Sequence, residues 1–311
     1  MWNERANRHK PGISQLSDFA RNSYLDRTSR PIYGLAYLLG FMIFYEAGTI
    51  FINPDILSES LARQPNMPIS FIWIQSILVN YLGFTRRMTW IAVPLVVGII
   101  LLTLQVTSRK RWRVYMKDFI PMTIECILLA LPLIILILTM NRTVPNQPPP
   151  DEKAAVYSSI SQRYESRSVP LQANTYYQTY GTNASAASAS TGRRLFVRIV
   201  TGIGAGIYEE LVFRLILICL LMLFFQDFLH VSHLSSAILS VLISAILFSA
   251  HHHIQFVSGQ FQIGEVFTMT RFMFRTFAGV YLAGIFAVRG FGITAGTHAF
   301  YNIIAALIDV F

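Results

Sequence analysis

Three ionisable residues, Glu209, Glu210 and Arg214, fall inside an apolar run from Leu195 to Phe225, within the stretch Gly204-Ala-Gly-Ile-Tyr-Glu-Glu-Leu-Val-Phe-Arg214. An ionisable side chain at mid-bilayer costs roughly 2.5–3.5 kcal/mol on insertion scales, so three cost on the order of 9 kcal/mol unless they pair or face a polar cavity. On a helix, Glu210 and Arg214 are i,i+4 neighbours and can pair. Glu209 is turned about 100° away and is left to face something else. Two further polar clusters interrupt apolar blocks: Phe248-Ser-Ala-His-His-His253, and His298-Ala-Phe-Tyr-Asn302, whose His298 and Asn302 share one helix face. A carboxylate set among imidazoles can take a proton from water and later return it to a leaving amine, which is the chemistry of peptide hydrolysis. Histidine and asparagine N–H groups can stabilise the oxyanion that forms, and two histidines with a glutamate can equally hold a zinc ion. The residue types leave both mechanisms open. The chain has no His-Glu-x-x-His helix motif, no Gly-x-Ser-x-Gly elbow and no membrane-buried Asp pair, so serine and aspartyl chemistries lack candidates.

These clusters must be carried by membrane-spanning helices. With 311 residues, 53% hydrophobic and 13% charged, and a mean hydropathy of +0.48, the chain is too apolar for a water-soluble domain of its size. Its apolar runs are continuous rather than alternating, which fits helices of about 20 residues and argues against a barrel. The net charge of +9 reads as basic residues beside the spans, holding the cytoplasmic side and favouring anionic lipid heads, with no need for nucleic acid. Cys126 and Cys219 lie in apolar runs and read as small packing residues. About thirty polar and charged residues precede the first apolar run, so no cleaved leader is expected and the first span should remain as an anchor.

In order along the chain, residues 1–31 read as a mobile basic tail, held in the cytoplasm by Arg5, Arg8, Lys10, Arg21, Arg27 and Arg30. Residues 32–142 read as a three-span region. Its spans cover about 32–52, 88–106 and 119–140, and a short stretch from Ile69 to Phe84 reads as an interfacial or re-entrant helix. Glu46 is expected to be interfacial or satisfied by packing, Glu125 to be structural, and Pro132 to kink the third span. Residues 143–194 read as a disordered extracytoplasmic linker, rich in Pro, Ser, Tyr and Asn without apolar periodicity. Residues 195–311 hold four apolar blocks and every polar cluster of interest. The first block is long for one span, so it is either tilted or broken near Gly202, Gly204 and Gly206. Arg193, Arg194 and Arg198 fall on the extracytoplasmic side in this topology, against the positive-inside rule. Gly279 and Gly284 are expected to allow close helix contact, and Arg271 and Arg275 to snorkel to head groups or bind a lipid phosphate.

The order and spacing of the three clusters resemble the CPBP family of intramembrane proteases, which includes the type II CAAX prenyl endopeptidases and bacteriocin-processing or self-immunity proteins. The family pattern Glu-Glu-x-x-x-Arg, Phe-x-x-x-His, His-x-x-x-Asn is similar to Glu209-Glu210-Leu-Val-Phe-Arg214, Phe248-Ser-Ala-His-His252 and His298-Ala-Phe-Tyr-Asn302. The approach Arg289-Gly-x-Gly-Ile-Thr also resembles the family's tight turn before its last catalytic helix. The resemblance implies that Glu209 activates water, that His252 and His298 are its partner histidines, that Asn302 is an oxyanion donor or orienter, and that Glu210 and Arg214 support them. Were the enzyme to use zinc, Glu209, His252 and His298 would be its ligands. His251 and His253 flank the matching histidine as secondary candidates.

The expectation is therefore an all-α, multi-pass cell-membrane protein of about seven spans with a cytoplasmic N-terminus and a four-helix C-terminal catalytic core. It is expected to cut a membrane-associated or lipid-anchored protein or peptide that enters the bundle laterally. Two other readings are a non-hydrolytic immunity or peptide-binding protein using the same cavity, and an ion-coupled transporter. The absence of an internal repeat between the halves weakens the transporter reading.

Overall fold

The computed structural model describes residues 22–52, 68–143, 191–257, 260–263 and 267–308. The first part of the expected tail and nearly all of the expected linker lie outside the described residues. A short helix, α1 (Tyr24–Thr28), leads into α2 (Pro31–Ile52), α3 (Ile69–Leu82), α4 (Arg86–Ser108) and, after a single 3₁₀ turn, α5 (Phe119–Thr143). The C-terminal part opens with α6 (Thr191–Glu210), which runs on through a π-helical segment (Leu211–Leu217), α7 (Ile218–Leu223) and a second π segment (Phe224–Phe228). It continues with α8 (His233–His253), strands β1 (Ile254–Val257) and β2 (Gln260–Ile263), α9 (Met269–Arg289) and α10 (Phe291–Ile308).

Among the described residues, seven helices are long and apolar enough to cross a membrane: α2, α4, α5, the continuous α6–α7 rod of 37 residues, α8, α9 and α10. Their outer faces carry large apolar side chains such as Ile43, Ile91, Ile120, Ile135 and Leu242, a pattern that suits lipid and not water. The all-α polytopic bundle expected from the sequence is what the chain forms, with one addition. An antiparallel hairpin follows α8 directly, pairing Ile254 with Ile263 and Val257 with Gln260. α3 has 14 residues and is too short to cross. At 1.5 Å per residue it covers about 21 Å, against about 30 Å of hydrocarbon.

α10 is the central helix, packing on α6, α5, α9 and α2. Small residues make this possible. A Cβ at Gly206 would lie 2.6 Å from the Ala299 backbone nitrogen, and one at Gly292 would lie 2.5 Å from the Gly34 Cα. The glycines of the long rod therefore do not break it, as the sequence allowed; Gly202, Gly204 and Gly206 admit Asn302, Tyr45 and Ala299 against the helix. Gly279 likewise lies against Ala245, but Gly284 has nothing within 4 Å and makes no close contact.

Residues 22–31, the described part of the tail expected to be mobile, are held by specific pairs. Arg27 is bidentate with Asp118 (2.9 Å for both bonds), Tyr33 donates to the same carboxylate, and Arg30 pairs with Asp26 at 2.6 Å. Charge alone could not reveal this, because the acidic partner Asp118 lies 91 residues from Arg27 in the chain. Glu125, expected to be structural, takes a bidentate hydrogen bond from Arg289 (2.5 and 2.8 Å) and a third from Tyr24 (2.7 Å). Arg289 also donates to the Leu25 carbonyl and the Thr28 hydroxyl. Next to it, Gly290 adopts φ +76°, a conformation that favours glycine, and a Cβ there would lie 2.9 Å from the Ser29 carbonyl oxygen. The tight turn before α10 is thus clamped by α1 and α5.

Candidate active site

The site forms where α6, α8 and α10 meet. Each helix brings its polar cluster by the i,i+4 geometry read from the sequence, and a local distortion adds to it. The π segment begins immediately after Glu210, widening the helix and releasing backbone groups from their usual pattern. The Ser244 hydroxyl of α8 donates to the Phe213 carbonyl in this segment at 2.6 Å. Arg214, fully buried in the same segment, pairs through Nε with Glu210 Oε2 at 3.1 Å and reaches the Gly279 carbonyl at 3.5 Å. Its guanidinium lies over the Phe248 ring, 4.1 Å from the centroid, so the charge is met by a carboxylate, a carbonyl and a π face.

Glu210 has a second partner. Its Oε1 accepts from His298 Nδ1 at 2.7 Å, so the Arg214–Glu210–His298 chain ties α6 to α10. A carboxylate on Nδ1 leaves Nε2 as the ring atom that faces outward from the pair. His251 is fixed in the same manner: its Nδ1 lies 2.5 Å from the Phe248 carbonyl, which can only accept, so Nδ1 carries the hydrogen. His251 Nε2 then lies 4.0 Å from Glu209 Oε1.

Glu209, His251 and His252 have ligand atoms that all lie within 4.8 Å of one another. This is a carboxylate and two imidazoles, the donor set suited to zinc. It differs from the set Glu209, His252 and His298 expected from the sequence. His251, which the Phe-x-x-x-His spacing relegates, is the imidazole brought to Glu209, while His298 is engaged by Glu210. The reason is rotational: Glu209 and Glu210 face different directions on α6, and each meets a different helix. His253 is buried on the far side, its ring 5.1 Å from Phe267 and 6.2 Å from Phe272, away from the carboxylates. Asn302 lies one turn beyond His298 and donates to the Gly202 carbonyl of α6 at 2.9 Å, leaving one amide hydrogen and its oxygen for other partners.

Residues 191–304 match the family model described as Rce1-like, type II CAAX prenyl endopeptidase. This C-terminal segment is similar to that family. The matched segment contains all three polar clusters and the α10 turn, in agreement with the resemblance to CPBP proteases. No curated protein and no solved structure matches the chain. The family match supports CAAX-type protease activity within the membrane in general terms.

Three further features surround the site. Trp73 of α3 lies edge-on to His251, with ring centroids 5.9 Å apart. Glu46 of α2 accepts from the Tyr208 hydroxyl at 3.0 Å, beside Glu209 in the chain. Arg275 of α9 acts electrostatically on Glu209, His251 and His252, a role the snorkelling reading did not contain. Only Glu46 carried a sequence signal, as a carboxylate within a span.

Proposed function

We propose that the protein is an intramembrane endopeptidase that hydrolyses a peptide bond in a membrane-associated or lipid-anchored protein. The observation that carries this reading is the pairing of two adjacent carboxylates with two different histidine helices: Glu209 with His251 and His252, and Glu210 with His298. Glu209 takes a proton from a water molecule held against the imidazoles of α8, and the water oxygen bonds to the scissile carbonyl carbon. Charge develops on the carbonyl oxygen, which the remaining N–H of Asn302 and, with the ring protonated on both nitrogens, the Nε2–H of His298 would stabilise. Collapse of the tetrahedral intermediate breaks the C–N bond, and Glu209 returns its proton to the leaving amine. Glu210 and Arg214 hold His298 and remain outside the bond-making steps.

Glu209, His251 and His252 also fit a zinc ion in their donor types, and a bound zinc would polarise the attacking water and the scissile carbonyl. Purified protein in liposomes, offered membrane-anchored peptides, tests the reading. Cleavage should be lost in His251→Ala, His252→Ala and His298→Ala while each variant stays folded. Loss of wild-type cleavage on dialysis against a chelator, restored by zinc, would assign the metal route; chelator-resistant cleavage would assign the glutamate alone. Cleavage unaffected by any of the three histidine substitutions would remove the reading.

A further inference from the structure

We propose that Trp73, on a helix outside the family-matched segment, is a specificity-determining residue that selects a large apolar side chain next to the scissile bond. This deepens the endopeptidase reading and rests on it.

His251 is enclosed by aromatic rings. Phe213 lies at 4.7 Å, Phe248 at 5.6 Å and Trp73 at 5.9 Å between centroids, and Trp73 and Phe213 are themselves 6.2 Å apart. Glu209, His251, His298, Phe213 and Phe248 are all buried. Trp73 and His252 are half-buried, so they are the parts of this cluster that a peptide reaching Glu209 from the His251 side meets first.

The indole is held by its helix. The buried stripe of α3 is Phe71, Ile74, Gln75 and Leu78, a 3.6-residue pattern that sets the helix against the core. Phe71 packs on Tyr45 and Tyr208, the residue before Glu209, and Gln75 donates to Thr89 at 2.7 Å. Trp73 sits at the edge of that stripe, while Ile77, one turn on, is exposed on the outer face. α3 packs on both α6 and β1, and β1 starts one residue after His253. The region before residue 191 thus provides one wall of a site whose reacting groups all come from after it. A broad, rigid apolar face beside a reacting centre favours an apolar or aromatic side chain over a small one, through area removed from water and ring contact.

The experiment uses full-length protein in liposomes and a peptide series with Phe, Leu, Ala or Asp at each position flanking the scissile bond. Wild type should cleave the Phe and Leu peptides with at least about tenfold higher kcat/KM than the Ala peptide at one of those positions, the scale expected of an apolar pocket. Trp73→Ala should lose most of that preference while the Ala peptide changes by less than about threefold, and Trp73→Phe should retain it. An equal loss across all peptides, or an unchanged preference, would overturn the proposal, since a residue that only supports the fold moves every substrate alike. Competition binding of the same peptides to Glu209→Gln and to Glu209→Gln/Trp73→Ala gives a second readout. A narrower affinity spread in the double variant supports the wall, and an unchanged spread contradicts it, even if no peptide is cleaved. Absence of cleavage by wild type would bear on the endopeptidase reading, and binding then decides the wall separately.

Discussion

Glu210 shows how a single carboxylate can hold two roles at once. It neutralises a fully buried guanidinium and fixes a histidine ring, and both partners depend on its charge and geometry. Replacement by glutamine keeps an acceptor for His298 but leaves Arg214 without its counter-ion. Breaking such a buried pair costs about 3–5 kcal/mol. We therefore expect Glu210→Gln to lower the unfolding temperature in detergent markedly, and Glu210→Gln/Arg214→Met to recover part of the loss; a double variant no more stable than the single one would show that the cation is satisfied elsewhere. The pairing of Glu210 with Arg214 was readable from i,i+4 spacing alone. The choice of imidazole for Glu209 was not, because adjacent histidines at a helix end differ by about 100° in direction and only the packing of α8 on α6 decides which ring arrives. Phe248 spacing pointed to His252; the closer geometry also brings in His251, whose Nδ1 is anchored by the Phe248 carbonyl.

At the scale of helices, the same substitution should have opposite effects at two glycines. A methyl at Gly206 would press on the α10 backbone, which cannot move aside as a flexible side chain can. Gly206→Ala should cost about 1–3 kcal/mol by overpacking and reduce activity, because α6 and α10 carry the two carboxylates and His298. Gly284 faces open space, and Gly284→Ala should be neutral or stabilise by up to about 1 kcal/mol through helix propensity. Thermal unfolding of the two variants side by side measures both. The extents of the spans were legible as runs of apolar residues, and that of α2 agrees with the sequence to within a residue. The π segment after Glu210 was not, since no residue type signals it; its Phe213 carbonyl accepts from Ser244, which in the sequence is one serine among several on α8.

Across the whole molecule, the N-terminal helices pack directly against the helices that carry the candidate site. α10 is packed by α2 and α5 as well as by α6 and α9, and the turn that starts it is clamped through Arg289, Glu125, Tyr24 and Thr28. Sequence reading separated these regions at a composition break, and the partners Glu125 and Arg289 are 164 residues apart, beyond the reach of any local pattern. We expect Glu125→Gln to weaken this clamp, lowering stability by about 1.5–3 kcal/mol as for a hydrogen bond to a charged group, and to reduce cleavage with it. Expression of residues 191–311 alone should yield no active protein in liposomes, whereas co-expression with residues 1–190 should restore some activity; full activity of the isolated segment would contradict this dependence.

The most direct measurement is the rate of cleavage of a membrane-anchored peptide by wild type and by Glu209→Gln, both shown to be folded in the same liposomes. If Glu209 is the base that activates water, wild type cuts the peptide and the variant is slower by about 10²–10⁴-fold. A Glu209→Gln protein that cleaves as fast as wild type would contradict the central claim.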